Sequence, residues 1–181
     1  MLVFISRVIR ALLLDINLYE EVENDKSSIW QSMIVVFLAS LAAGVYTYNL
    51  GEVKGLIVGT VLAFAGWIVM SFFIYLVGTK LFPGTETKSD TGEILRVLGF
   101  AGAPGIFLLV ALLPIIRNFV WIVILVIWTW RLVAMIIAVR QALDFKSTWS
   151  AIWVCVIGLI AYLLVYIILL FAYGLPKPIW T

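Results

Sequence analysis

No histidine occurs anywhere in the 181 residues, and there is one cysteine. Without histidine the chain cannot build a Ser-His-Asp hydrolase, hold haem through an imidazole, or assemble almost any catalytic zinc site. Cys155 has no partner for an intramolecular disulfide and no companions for a metal cluster. Inside its apolar run it reads as a small hydrophobe in a helix. Charge is equally scarce. Asp, Glu, Lys and Arg supply 12% of the residues, where a soluble globular chain carries about 25%. The net charge of +2 is too small to imply a nucleic-acid partner.

Apolar residues fill the space that charge leaves, at 65% of the chain. No water-soluble core of this length hides so much apolar surface, so the solvent is read as lipid and the protein as integral to a membrane. The expected fold class is all-α: a polytopic membrane protein of five transmembrane helices, preceded by an N-terminal amphipathic interfacial helix.

The opening MLVFISRVIRALLLD has two arginines within its apolar stretch and no small-residue cleavage site after it, so it does not read as a signal peptide. Residues 2–14 are too short to cross the bilayer. They read as a helix in the headgroup region, with Arg7 and Arg10 as interfacial anchors towards phosphate and Phe4, Ile5, Val8, Ile9, Leu12 and Leu13 towards the acyl chains. The acidic stretch 15–27 follows, with one apolar face at Leu18, Tyr19 and Val22. Segment 20–25 within it is read as a solvated face.

Span 1 is expected over 28–48, where Ser28 and Gln31 have the capping-box spacing. A tight connection covers 49–54, and span 2 runs from 55 to 80. Residues 82–92 form a loop rich in Pro, Gly, Thr and Ser. Asp90 and Glu93 have the spacing of a helix start, placing span 3 at 93–116. Arg117-Asn118 is a short turn into span 4 at 119–139, and 141–148 leads to span 5 at 149–173. The organisation is therefore a surface segment 1–27, a membrane domain 28–174 and an external tail 175–181.

Basic residues orient these spans. With the N-terminus inside, Arg7, Arg10, Lys26, Lys80, Lys88, Arg96, Arg140 and Lys146 flank inner ends, while Lys54, Arg117 and Lys177 flank outer ones. This imbalance predicts a cytoplasmic N-terminus and an external C-terminus. Trp30, Trp149 and Trp153 near inner ends, and Tyr46, Tyr48, Trp121 and Tyr173 near outer ends, suit aromatic belts.

No span has Asp, Glu or His in its interior. Proton relays and ion-coupled carriers usually need such a group, and intramembrane proteases need paired carboxylates or a base for a serine. The expectation is a non-enzyme with no cofactor. Arg131 is the one charge well inside a span, about 13 Å of helix from Arg140. It can snorkel to the inner headgroups, with Glu93 or Asp144 as partners, or meet a partner subunit. It can also join Arg96, with Arg140 at the inner end, as a candidate site for a lipid phosphate or another anion. Small residues form a second constellation. Gly55 and Gly59 make a GxxxG, and Gly99, Gly102 and Gly105 surround Pro104. Such faces serve close packing within the bundle, self-association or docking on another membrane protein. Pro104 should bend or loosen span 3.

Val97-Leu98-Gly99-Phe100-Ala101-Gly102-Ala103-Pro104 resembles the V-L-G-[YF]-x-x-x-P segment of Yip-domain proteins, the family named for interaction with Ypt/Rab GTPases. The five-span layout, the polar loop before span 3, the near-immediate turn to span 4 and Trp128 late in span 4 are similar too. The resemblance covers about 16–170. Eukaryotic members carry a long soluble N-terminal region and an Asp-Leu-Tyr-Gly-Pro segment. Here Asp15-Ile16-Asn17-Leu18-Tyr19-Glu20-Glu21 lacks Gly-Pro and 14 residues precede it, as in the short prokaryotic form. The eukaryotic branch implies Rab GTPases as partners in traffic between endoplasmic reticulum and Golgi. The prokaryotic branch implies a fold without a settled activity, and a plasma membrane as location.

Three functions remain open on this reading. The first is a scaffold or accessory subunit that organises other membrane proteins or bilayer shape, with lipids, other integral proteins or a second copy as partners. The second is a lipid or small-molecule carrier using the Arg96/Arg131 region. The third is a subunit of an energy-converting complex.

Overall fold

The computed structural model describes residues 1–82 and 89–172, without the side chains at 46–51, 117, 165, 166 and 168–172. Lys88, Tyr173, Lys177 and the tail 175–181, and the side chains of Tyr46, Tyr48 and Arg117, lie outside the described residues. The elements in chain order are α1 (Leu2–Leu12), α2 (Ile16–Asn24), α3 (Ser28–Leu76) with a π-helical end at Val77–Leu81, and α4 (Thr91–Ala101). Two 3-10 segments, Ala103–Leu112 and Pro114–Phe119, lead to α5 (Val120–Ala142) and α6 (Thr148–Ala172). The described residues contain no strand.

By length and composition four helical stretches suffice to cross a membrane: Ser28–Val45, Glu52–Leu81, Thr91–Leu112 and Val120–Ala142. Thr148–Leu164 is a shorter apolar helix. Their outer surfaces carry large apolar side chains, among them Val61, Trp121, Leu125, Trp128 and Trp153. A surface built this way belongs against hydrocarbon.

α3 contains two spans. In one straight helix Gly44 and Thr60 would stand about 24 Å apart. Instead a Cβ on Gly44 would lie 2.6 Å from the Leu56 carbonyl oxygen and closer still to the Thr60 hydroxyl. The chain therefore reverses between them, inside the expected connection 49–54, where Glu52 takes φ 51. The close approach is made at Gly44, which lies outside the GxxxG of Gly55 and Gly59.

At the end of the bundle where α1 and α2 sit, a core forms from Leu18, Tyr19 and Val22 of α2, Ile94, Val97 and Phe100 of α4, and Ala134, Ala138 and Ala142 of α5. The four-residue spacing of those alanines puts one small face on α5, and α2 packs on α4 and α5. Cys155 is buried in the same core. A second, smaller cluster joins Ala42, Leu108 and Ile127.

The caps and helix ends agree with expectation in part. Asp90 and Glu93 do form a capping box, each side chain accepting from the other's backbone N–H at 2.9 Å. Ser28 and Gln31 do not: Ser28 Oγ donates to the Val22 carbonyl and Gln31 Oε1 accepts from Arg7, both better placed than the helix end. Span 3 loses α-helical bonding after Ala101, because Pro104 has no N–H to give four residues back. It then stops at Leu112 instead of running to 116. Leu113 is extended, with ψ 127, as the residue before Pro114 must be. The connection to α5 is thus Leu113–Phe119, longer than the Arg117-Asn118 turn.

A methyl group at residue 44 has no room unless the two spans separate. Gly44→Ala is expected to cost about 1–3 kcal/mol through overpacking, read as a lower thermal unfolding midpoint in detergent. Adding Thr60→Gly should restore only part of the loss, since the Leu56 carbonyl stays in the way.

Candidate functional site

Most of the polar chemistry of the described residues gathers where α1 and α2 meet the bundle. α1 ends in a turn in which Leu14 N–H bonds the Ala11 carbonyl and Asp15 N–H bonds the Arg10 carbonyl, at 3.1 and 3.0 Å. Leu14 takes φ 59 to make that closure, a Schellman end without glycine. The turn folds α1 back so that its arginines meet the acids of α2. Arg7 Nε donates to Glu21 at 2.8 Å, its second nitrogen to Gln31 at 3.1 Å, and its third pairs with Asp25 at 2.8 Å. Arg10 Nε pairs with Asp15 at 2.7 Å, and its terminal nitrogen pairs with Glu21.

This arrangement corrects two expectations. Arg7 and Arg10 do not point to lipid phosphate; the Arg7 side chain is only 8% exposed and is committed to α2. The acidic segment is not simply solvated, since Glu21 and Asp25 are consumed in holding those arginines. Burying an unpaired guanidinium is expensive, and the acids that the turn at Leu14 brings alongside offset part of that cost.

Arg96 has the same kind of role. It is buried on α4, and its Nε donates to the Val22 carbonyl at 3.0 Å while a terminal nitrogen donates to the Glu23 carbonyl. Ser28 Oγ adds a second donor to Val22 at 2.9 Å, and Ser32 Oγ donates to the Arg96 carbonyl at 2.8 Å. A Cβ on Gly99 would sit 2.5 Å from Ser32 Cβ, so only glycine lets α4 come this close to α3. Arg140 donates to the Phe145 carbonyl at 3.4 Å.

Arg131 stands apart. Its guanidinium lies 5.1 Å from the centroid of the Trp128 ring, and a Cβ on Gly105 would be 3.3 Å from its terminal nitrogen and 3.2 Å from Ala39. Among the described residues no carboxylate pairs with it; Glu93 is engaged in its own cap. Next to it Trp130 stacks on Phe107 at 5.7 Å and donates its indole N–H to the Leu12 carbonyl at 3.1 Å. Arg96, Arg131 and Arg140 therefore do not converge on one anion site: two hold backbone carbonyls and one reaches between the first span and the segment after Pro104. Gly102 and Gly105 serve that break, and Gly105 leaves the room Arg131 uses. The missed residues are Glu21, Asp25, Gln31 and Trp130, whose partners lie on other elements and so leave no local spacing to read.

Electrostatics at α2 divides its acids. Arg10 and then Arg7 hold Glu21 below the usual carboxylate range; Arg10 does the same for Asp15, and hydrogen bonding by Ser27 followed by Arg7 for Asp25. Glu23 goes the other way, pushed up to about 7 by burial and by the nearby charges of Asp144 and Glu93, against the pull of Arg96. Tyr19 is wholly buried, and among the described residues its hydroxyl has no hydrogen-bond partner.

Compared with known proteins, residues 17–170 match a family model, the Yip1 domain. No curated protein and no solved structure matches the chain.

Two measurements test the α2 assignments. A carboxyl whose folded pKa is raised supports the fold while it keeps its proton. The Glu23 contribution is thus whole below about 4.5 and lost as pH rises through about 7. Glu23→Gln should leave the thermal midpoint unchanged at pH 4 and raise it at pH 8. Glu21, Asp15 and Asp25 act at the opposite limb, their contribution vanishing as pH falls below the usual carboxylate range. Separately, Tyr19→Phe removes a buried hydroxyl without a partner and should stabilise by about 1 kcal/mol. A fall in the midpoint would mean that the hydroxyl is satisfied.

Proposed function

The chain belongs to the Yip1 domain family across residues 17–170, and on that premise we propose a non-enzymatic scaffold or accessory subunit of the membrane. It organises neighbouring membrane proteins, or the bilayer itself, through its helix faces. The proposed layout has five spans, with Thr148–Ala172 as the fifth, and an N-terminal amphipathic helix. The excess of Lys and Arg at one set of ends supports a cytoplasmic N-terminus and an external C-terminus.

One observation carries this reading. The charged groups best placed to do chemistry at the α1–α2 end are spent on internal bonds: Arg7 and Arg10 on α2 acids, Arg96 on α2 carbonyls, Glu93 on a helix cap. Along the spans the surface turned outward is mainly apolar and aromatic, the surface of a protein that works by contact. The partners are lipids and other integral membrane proteins or a second copy.

A second reading keeps one specific support. Arg131, unpaired by any described carboxylate and beside the Pro104 break, is where a carrier would hold an anionic lipid or small anion. Arg96, committed to α2, is no longer part of it.

Native mass spectrometry after mild extraction from the host membrane decides between them. A reproducible protein neighbour is expected. A lone chain that retains an anionic lipid, with transport in liposomes abolished by Arg131→Leu, would overturn the scaffold reading. For a scaffold, Arg131→Leu should fold normally or better.

A further inference from the structure

α1 is amphipathic with its polar side turned into the protein. Arg7 is buried against α2 and α3, whereas Leu2, Val3, Ile5 and Ile9 are exposed, and Leu13 just beyond the helix is 75% exposed. No exposed residue of α1 has a charged side chain.

Two contacts fix how α1 lies along the bundle. Near its middle, Arg7 reaches Gln31 in the first turn of α3. At its end, the Leu12 carbonyl accepts from the indole of Trp130. Trp130 is twelve residues from the Ala142 end of α5, about 18 Å along that helix. Even with the reach of the indole allowed for, Leu12 sits well inside the span. α1 thus runs inward along the bundle and does not lie across its end. The turn at Leu14 sends α2 back out, with Asn17, Glu20 and Asn24 exposed on the other side of the hairpin.

We infer that α1 is a re-entrant lipid-contact helix: acyl chains of the leaflet at this end cover its outward face to well below the headgroups, while the ion pairs behind it neutralise Arg7 and Arg10. Lipid is the occupant because the face continues an apolar belt. Trp128, Leu132 and Val133, exposed on α5, flank the Trp130 that holds Leu12. In a chain whose spans already lie in hydrocarbon, that belt is covered without any further partner. The inference depends on membrane insertion and not on the scaffold reading, so either can fail alone.

The test places nitroxide labels on single cysteines at Leu2, Ile9 and Leu13 of the full chain in phosphatidylcholine vesicles, in a Cys155→Ala background. Should that background misfold, the buried native Cys155 can stay, since it is 1% exposed and takes no label. Collisions with oxygen relative to a water-soluble nickel chelate should rise from Leu2 through Ile9 to Leu13, ending several-fold above an Asn24→Cys control. Trp130→Phe, which loses the N–H that holds Leu12, should flatten the gradient. Free access of the nickel chelate at Ile9 and Leu13 would overturn the inference in favour of water. Loss of both collision rates together, with spin–spin broadening between chains, would overturn it in favour of a second copy. Loss of both without broadening would overturn it in favour of a different protein.

Discussion

Arg96 is the residue on which the α1–α2 end depends. A nine-residue helix leaves its last carbonyls without partners, and α2 ends at Asn24 without a glycine turn to close them. Arg96 brings two donors to Val22 and Glu23 from another helix, and places its positive charge at the negative end of the α2 dipole. Each orphaned carbonyl costs about 1–3 kcal/mol when shielded from water; Ser28 Oγ also covers Val22, so the Glu23 carbonyl is the one that rests on Arg96 alone. The Ser32 bond to the backbone of Arg96 ties the same point to α3. Once α2 is fixed, Glu21 and Asp25 are fixed, and with them the sites that receive Arg7 and Arg10. The order of dependence runs from α4 outward to α1.

Packing deeper in the bundle follows the physics of helices in lipid, where apolar side chains gain nothing by leaving hydrocarbon for each other. Contact has to come from close fit, and close fit from small residues. Gly44 against Leu56, Gly99 against Ser32, Gly105 against Ala39 and the alanine face of α5 all meet that requirement. Hydroxyls in the spans are satisfied locally: Thr60, Ser71 and Thr79 each donate to the carbonyl four residues before, at 2.7–2.8 Å. These bonds let polar residues sit in apolar helices without a partner elsewhere.

Features set by local rules could be read directly from the sequence. Apolar runs gave the four long helices, Asp90 and Glu93 gave a true cap, and the spacing of Leu18, Tyr19 and Val22 gave the buried face of α2. Features set by tertiary competition could not. Ser28 and Gln31 had the right spacing for a cap and found better partners on α2 and α1. Arg7 and Arg10 looked like headgroup anchors because nothing local announces that a turn at Leu14 will fold acids onto them. The helix ends at Leu14 and Asp144 use left-handed residues that are not glycine, so no sequence signal marks either turn. Gly44 sits in no motif, and its importance comes only from where the hairpin reverses.

Arg131 is where magnitudes decide between functional readings. A guanidinium near the centre of a membrane helix costs about 2.5–3.5 kcal/mol on insertion scales. A desolvated cation held over a tryptophan recovers about 2 kcal/mol, and Trp128 is in position to supply it. The deficit left is about 1 kcal/mol, small enough for snorkelling or local thinning of the bilayer to absorb. A tightly bound anion is therefore not required to explain why an arginine survives there. Gly105, in the 3-10 segment that follows Ala101, leaves the space beside Ala39 that the Arg131 guanidinium occupies. This balance favours a structural Arg131 and weighs towards a protein that acts by its contacts.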